Sequence, residues 1–326
     1  MSSYPTSASA SGIWNIGDIS LFIQDGAWPT AGNLGTFGAG RNPVNTNIID
    51  YINITTTGNA IDWGDMLFTL HATGGLGNFA RGLFASGGNP ATNSINFITW
   101  SSIGDAQDFG DLTQNAQGCA GMNDTSRGIF GTVNVYQTGG NVINYITIAS
   151  TGNALDFGDT TVTAVERTGF SSNTRGIFGG GYSDTPALGT YINVIDFITI
   201  QSLGNATDFG DLPNENRYLS ASGSSKTRGI FAGGVFPSAT NVMSFITIAS
   251  TGNTTDFGDL IAATYRAAGV SNQIRLAIGG GSSPGITNVI NYVTIATTGN
   301  ALDFGDLTVG RQGLGGASNG NGGLTN

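Results

Sequence analysis

The stretch Tyr145–Asp159, YITIASTGNALDFGD, decides how this chain is read. Its frame recurs without a gap at Tyr51–Asp65, Phe97–Asp111, Phe197–Asp211, Phe245–Asp259 and Tyr292–Asp306, and an eroded copy opens the protein at Tyr4–Asp18. The closing tetrads begin at Asn15, Asp62, Asp108, Asp156, Asp208, Asp256 and Asp303, so successive spacings are 47, 46, 48, 52, 48 and 47. A period near fifty with strand-like content marks a β-propeller or a β-solenoid.

Outward from that stretch, each period carries an apolar pair followed by glycines: LGTFGAG (34–40), RGLFASGG (81–88), RGIFG (127–131), RGIFGGG (175–181), RGIFAGG (228–234) and RLAIGGG (275–281). A third segment precedes the tetrad (NVINYITIAS, 141–150), and a fourth lies between tetrad and glycines (VERTGFSSNTRG, 165–176). Four short segments per period match the strands of a propeller blade. NVINYITI is apolar on both alternating faces, as expected of a strand covered on both sides. TGNA and FGD read as turn chemistry. One repeat running end to end argues for a single all-β domain over residues 1–326.

The order of glycine strand, aromatic strand, aromatic tetrad and later Arg resembles the kelch repeat, with Gly180–Gly181, Phe197, Phe209 and Arg217 in those places. Kelch-type repeats carry Trp where most tetrads here carry Phe; Trp63 is the exception. The DFGD-type repeats also resemble those of virion proteins of tailed, particularly marine, bacteriophages. That second resemblance implies a non-enzymatic structural or adhesive virion component, capsid- or tail-associated, made in the host cytoplasm without a signal peptide. Its partners would be other virion proteins and host-surface glycan, and the alternative is a lectin-like, glycan-binding propeller. The chain ends also suggest closure. The last period stops where a glycine strand would start, and the eroded copy supplies an aromatic strand and tetrad. Pairing residues 1–18 with 303–326 would close a seven-bladed ring and remove exposed edges.

Composition excludes several classes. Charged residues are 10% of the chain, the formal net charge is −10 and Lys226 is the single lysine, so the clustered cations that bind nucleic acid are missing. Cys119 is alone, which precludes an intrachain disulfide. No basic-then-apolar leader and no apolar run long enough to span a bilayer occurs, so no membrane insertion is expected. The repeated DFG lacks the other kinase motifs. His71, the only histidine, stands in a loop with no nucleophile elbow nearby, and one His and one Cys cannot build a tetrahedral zinc site. Glu166 and Glu215 are the only glutamates, and no paired acids break the repeat as a glycosidase would require. No cofactor is expected. Ca²⁺ on the repeated Asp156 and Asp159 is disfavoured against turn-capping and ion-pair roles.

Two expectations concern side chains. Arg127, Arg175 and Arg228 are expected to pair with tetrad carboxylates such as Asp111, Asp159 and Asp211, holding blades together. The loops in which copies disagree (Trp28–Asn33, Val133–Gly140, Ser183–Thr190 and Val235–Thr240) are expected to share one face. Trp28, Tyr136, Tyr182 and Phe236 would be their contact residues.

Overall fold

A computed structural model describes residues 32–88, 90–131, 140–183, 190–219, 221–282 and 284–324, and all regular structure among them is β. Six four-stranded antiparallel sheets form the blades, beside one two-stranded ribbon, Tyr182–Ser183 with Thr190–Tyr191. Blade 1 runs from axis to rim as Gly315–Ser318, Leu34–Gly38, Thr46–Asn53 and Ile61–Leu70. Blade 2 is Gly74–Gly77, Arg81–Gly87, Thr92–Thr99 and Gln107–Ala116. Blade 3 is Ala120–Asn123, Arg127–Gly131, Val142–Thr147 and Leu155–Asp159. Blade 4 is Thr168–Ser171, Arg175–Gly179, Val194–Thr199 and Thr207–Asp211. Blade 5 is Ala221–Ser224, Arg228–Ala232, Val242–Thr247 and Thr255–Asp259. Blade 6 is Ala268–Ser271, Arg275–Gly279, Val289–Thr294 and Leu302–Asp306.

The protein is therefore a β-propeller, with six blades among the described residues rather than the expected seven. The tetrad at Asp303–Asp306 completes blade 6. The C-terminal strand instead pairs with Leu34–Gly38, matching Gly38 to Gly315 and Gly35 to Ser318. That glycine strand has an intact aromatic strand and tetrad after it and lacks only an inner strand. The last strand of the chain supplies it. The eroded copy Tyr4–Asp18 lies outside the described residues.

One packing scheme recurs through the blades. The first aromatic of each repeat meets the tetrad aromatic edge to face, as in Phe197 against Phe209 (centroids 5.9 Å, 82°) and Tyr51 against Trp63 (5.3 Å, 84°). In blades 1 to 5 the Phe of the glycine strand, replaced by Ile278 in blade 6, is fully buried and leans on the preceding blade. An ideal Cβ on Gly279 would lie 2.9 Å from the Phe37 ring, so only glycine leaves room there.

Blades are also clasped by backbone. The tetrad of one blade is gripped by the TGNA-type loop of the next: Gly204 N–H donates to Phe157 O (2.9 Å), Ala206 N–H to Asp159 O (2.7 Å), and Asp159 N–H to Asn205 Oδ1 (3.1 Å). The same clasp joins blade 6 to blade 1 through Gly58, Asn59 and Ala60, which seals the ring. Inside the clasp the tetrad glycine is obligatory. Gly64 has φ +139°, and a Cβ there would stand 2.6 Å from the Gly104 carbonyl carbon.

At the axis the inner strands are joined by a belt of serines. Ser171 donates to Asn123 O (2.6 Å), Ser224 to Ser171 O (2.7 Å), Ser271 to Ser224 O (3.2 Å) and Ser318 to Ser271 O (2.8 Å). Blade 2 has Gly77 at this place, and Asn321 Nδ2 donates to its carbonyl (2.7 Å). The residues after the last strand thus complete the belt. They also fill that end of the channel, where Leu324 is buried.

Candidate functional site

The repeated arginines do not hold tetrad carboxylates. Each guanidinium lies over the first aromatic of its own blade: Arg127 over Tyr145 (4.8 Å), Arg175 over Phe197 (4.6 Å) and Arg228 over Phe245 (4.3 Å). Each also reaches a carbonyl of the following blade, Arg127 to Ile200 O (2.8 Å), Arg175 to Ile248 O (2.9 Å) and Arg228 to Ala296 O (2.8 Å). Register explains the correction. Arg175 pairs with Thr199 at one end of the aromatic strand, whereas Asp211 pairs with Val194 at the other. At ~3.3 Å per residue the strand keeps them well beyond ion-pair reach. Asp111, Asp159 and Asp211 serve the clasps through their main chain.

The fully buried ion pairs are elsewhere. Arg311 meets Asp50 at 2.8 Å and Arg167 meets Asp196, with all four side chains wholly buried. Asp50 and Asp196 precede the blade aromatic, a position filled by Asn96, Asn144, Ser244 and Asn291 in the other blades. Acid appears where an arginine of the entry loop reaches it. Burial lowers the Arg311 pKa from its ordinary value, opposed by Asp50 and then Asp62.

The loop leading from the rim of each blade to the inner strand of the next turns at a residue with positive φ. These corners are Ala72, Gly118, Glu166, Tyr218, Arg266 and Gly313 (φ 56°, 71°, 58°, 51°, 58° and 72°). Left-handed backbone costs a residue with a Cβ about 1–2 kcal/mol, yet three corners carry large polar side chains. Those three, with Arg41, His71 and Thr73, line an axial cavity of about 140 Å³. A waist formed by Gly75, Gly121, Gly169, Ser222, Gly269 and Gly316 separates it from the serine belt.

The cavity gathers residues that occur once in the repeat pattern. Arg266 Nη2 stands 3.7 Å from Glu166 Oε1, and its guanidinium lies 3.9 Å from the centre of the Tyr218 ring. Burial, then the charges of Arg41 and Arg266, lowers the His71 pKa to about 4, so its imidazole is neutral near pH 7. The His71 Nδ1 and Thr73 Oγ1 atoms are buried without a hydrogen-bond partner in the described structure. Cys119 also borders the cavity; its thiol lies 3.0 Å from Ser86 Oγ, and burial raises its pKa. No role could be read from the sequence for His71, beyond its place in a loop without a nucleophile, and none for Arg41. The missed signal was that entry loops differ in every copy while the blades around them agree.

A ledge of rings extends from this mouth. Arg217 stacks over Tyr218 (4.5 Å), Tyr191 (4.8 Å) and Tyr182 (5.2 Å). Tyr191 meets Tyr182 (6.1 Å, 49°) and Phe236 (6.1 Å, 79°), and Phe236 remains 40% exposed. The structure thus brings Tyr182 and Phe236 together through Tyr191. Trp28, Tyr136 and most of their loops lie outside the described residues, as does the tip of the Tyr182–Tyr191 loop. Among the described residues no group of three or more His, Cys, Asp or Glu is placed to hold a metal ion.

Fold and site define a β-propeller with an axial polar cavity and an aromatic ledge beside it. Comparison with protein-family models finds none that matches the chain, and comparison with curated proteins finds no match.

Proposed function

We propose that this propeller is a non-enzymatic, contact-making protein, a structural or adhesive component of a tailed-phage particle that docks through the face carrying the ledge. The observation that carries the contact role is the union of Tyr182, Tyr191, Phe236 and Arg217 where the copies diverge. Aromatic and arginine side chains are enriched where proteins meet. The DFGD wording of the repeats supports the particle assignment. Partners would be other virion proteins, held mainly by apolar and hydrogen-bonding contacts. The test is mass spectrometry of purified particles combined with a Tyr191→Ser/Phe236→Ser variant. Fixed stoichiometry in wild-type particles and loss of the folded variant from them are expected. A chain found only outside particles rejects the reading.

Glycan binding is the second reading, favoured by the ledge leading into a cavity lined with hydroxyls and backbone. Sugar rings stack on aromatic faces of this kind.

A further inference from the structure

We infer that the axial cavity is a binding site for a carboxylate-bearing sugar of the uronic-acid type, with Arg41 as its principal anion-holding group. The inference deepens the glycan reading and rests on it. Charge is the first argument. Arg266 is offset by Glu166 and Arg167 is neutralised by Asp196, while Arg41 has no ion pair, hydrogen bond or ring contact from its side chain among the described residues. With His71 and Cys119 neutral, the cavity carries a net positive charge in a chain whose formal net charge is −10. Such a local field selects an anion.

The shape and donor set select the kind of anion. About 140 Å³ of space exceeds what a bare carboxylate fills and suits a single sugar ring entering from the mouth. Its wall offers the hydroxyl pair Thr168 Oγ1 with Ser222 Oγ (2.6 Å), and His71 and Thr73 border it. Sugar hydroxyl groups both donate to and accept from such a pair. Tyr218, beneath the Arg266 guanidinium, connects this wall to Tyr191 and Phe236, so further sugar units would run along the ledge. Keeping Glu166, Tyr218 and Arg266 at left-handed corners, where glycine would be less strained, agrees with a site retained for its side chains.

His71 provides the test, because as the only histidine it gives an unambiguous ring signal. Glucuronate, glucose and acetate are titrated separately into the full chain while the His71 ring resonances are followed. Saturable shifts with glucuronate, none with glucose, and a weaker response to acetate are expected. Arg41→Gln, checked for unchanged melting, should weaken glucuronate binding about tenfold or more, the worth of a charged hydrogen bond. A His71 signal blind to glucuronate, an equal response to glucose, or full binding by the folded Arg41→Gln protein overturns the site. Where Arg41→Gln fails to fold, the wild-type titrations alone decide. Retention on a glucuronate-containing polysaccharide with His71 silent rejects the axial site and leaves glycan binding standing. Absence of retention together with a silent His71 rejects both.

Discussion

The outer half of each blade and the loop that leads to the axis follow opposite rules. Outside, Tyr145 and Phe157 repeat the geometry of Phe197 and Phe209, and the clasp at Asp159 repeats that at Asp306. At the axis, equivalent corners hold Ala72, Glu166, Tyr218 and Arg266, and among the described residues an arginine is buried against an acid of the blade core in blades 1 and 4. Blades contact only their neighbours, so each outer interface poses the same packing problem and admits one answer. The axis is shared by all blades, and a site there needs each residue once. Uniformity marks what the fold requires, and divergence marks where specificity is free to reside.

The sharpest way to break this division is at a buried axial pair. Arg167→Ala should destabilise the protein by about 3–5 kcal/mol, because the Asp196 carboxylate is left buried without its partner. Asp196→Asn added to that variant restores the neutral residue used by blades 2 and 3, so denaturant unfolding should show most of the loss recovered. If the double variant is no more stable than Arg167→Ala, the charge pair is not what distinguishes blade 4.

Next in size is the clasp. Gly158→Ala places a methyl group against the Gly204 backbone at φ +147° and should cost about 2–3 kcal/mol. Gly152→Ala has a similar φ of +154° but nothing within 4 Å, so it should cost clearly less. Equal losses would show that backbone strain alone, and not the clasp, requires the tetrad glycine.

The sequence made the outer half legible because periodic packing leaves a periodic trace: the four strands, the two-sided burial of NVINYITI and the aromatic tetrad could all be read from it. The blade count was less legible. The eroded copy Tyr4–Asp18 invited a seventh blade, although among the described residues the six intact tetrads are the outer strands and Leu34–Gly38 takes its inner partner from the C-terminal strand. The role of Arg175 was misread because recurrence of Arg and Asp does not encode the end of the strand each occupies. Asp196 and Asp50 left a fainter trace, acids standing where sibling repeats have Asn or Ser. The cavity left almost none, since His71, Glu166 and Arg266 meet only after the ring closes.

A smaller effect tests one outer junction against the rest. Arg175→Ala should cost about 1–2 kcal/mol, from one ring contact and one hydrogen bond. Between blades 1 and 2 the corresponding residue is Leu34, and Trp100 replaces the isoleucine found at Ile54, Ile148, Ile200, Ile248 and Ile295. Trp100 packs edge to face on Trp63 (5.9 Å) and donates to Asn78 O (2.7 Å). Its bulk takes over the work of the missing guanidinium. Leu34→Arg alone should therefore destabilise, and adding Trp100→Ile should recover part of the loss in thermal melts. A tolerated Leu34→Arg would mean that the tryptophan is not a substitute for the arginine.

The last effect is on pH dependence, and it separates the axis from the rim. His71 is held neutral first by burial, then by Arg41 and Arg266, so its folded pKa is about 4 against an ordinary 6.5. The unfolded chain takes up this proton as pH falls below about 6.5, while the folded chain does so only near 4. The stability linked to His71 is thus constant above that window and falls as pH drops through it. Carboxylates titrate in the lower part of the same range, so the comparison must be made with His71→Gln, which retains every other group. Between pH 6.5 and 4 the wild-type protein should lose more stability than the variant, and the wild-type imidazole should titrate near 4 by NMR. Arg41→Gln should move that midpoint upward by removing a neighbouring positive charge. A midpoint near 6.5 in the folded wild-type protein would place His71 in open water and remove the electrostatic distinction between axis and rim.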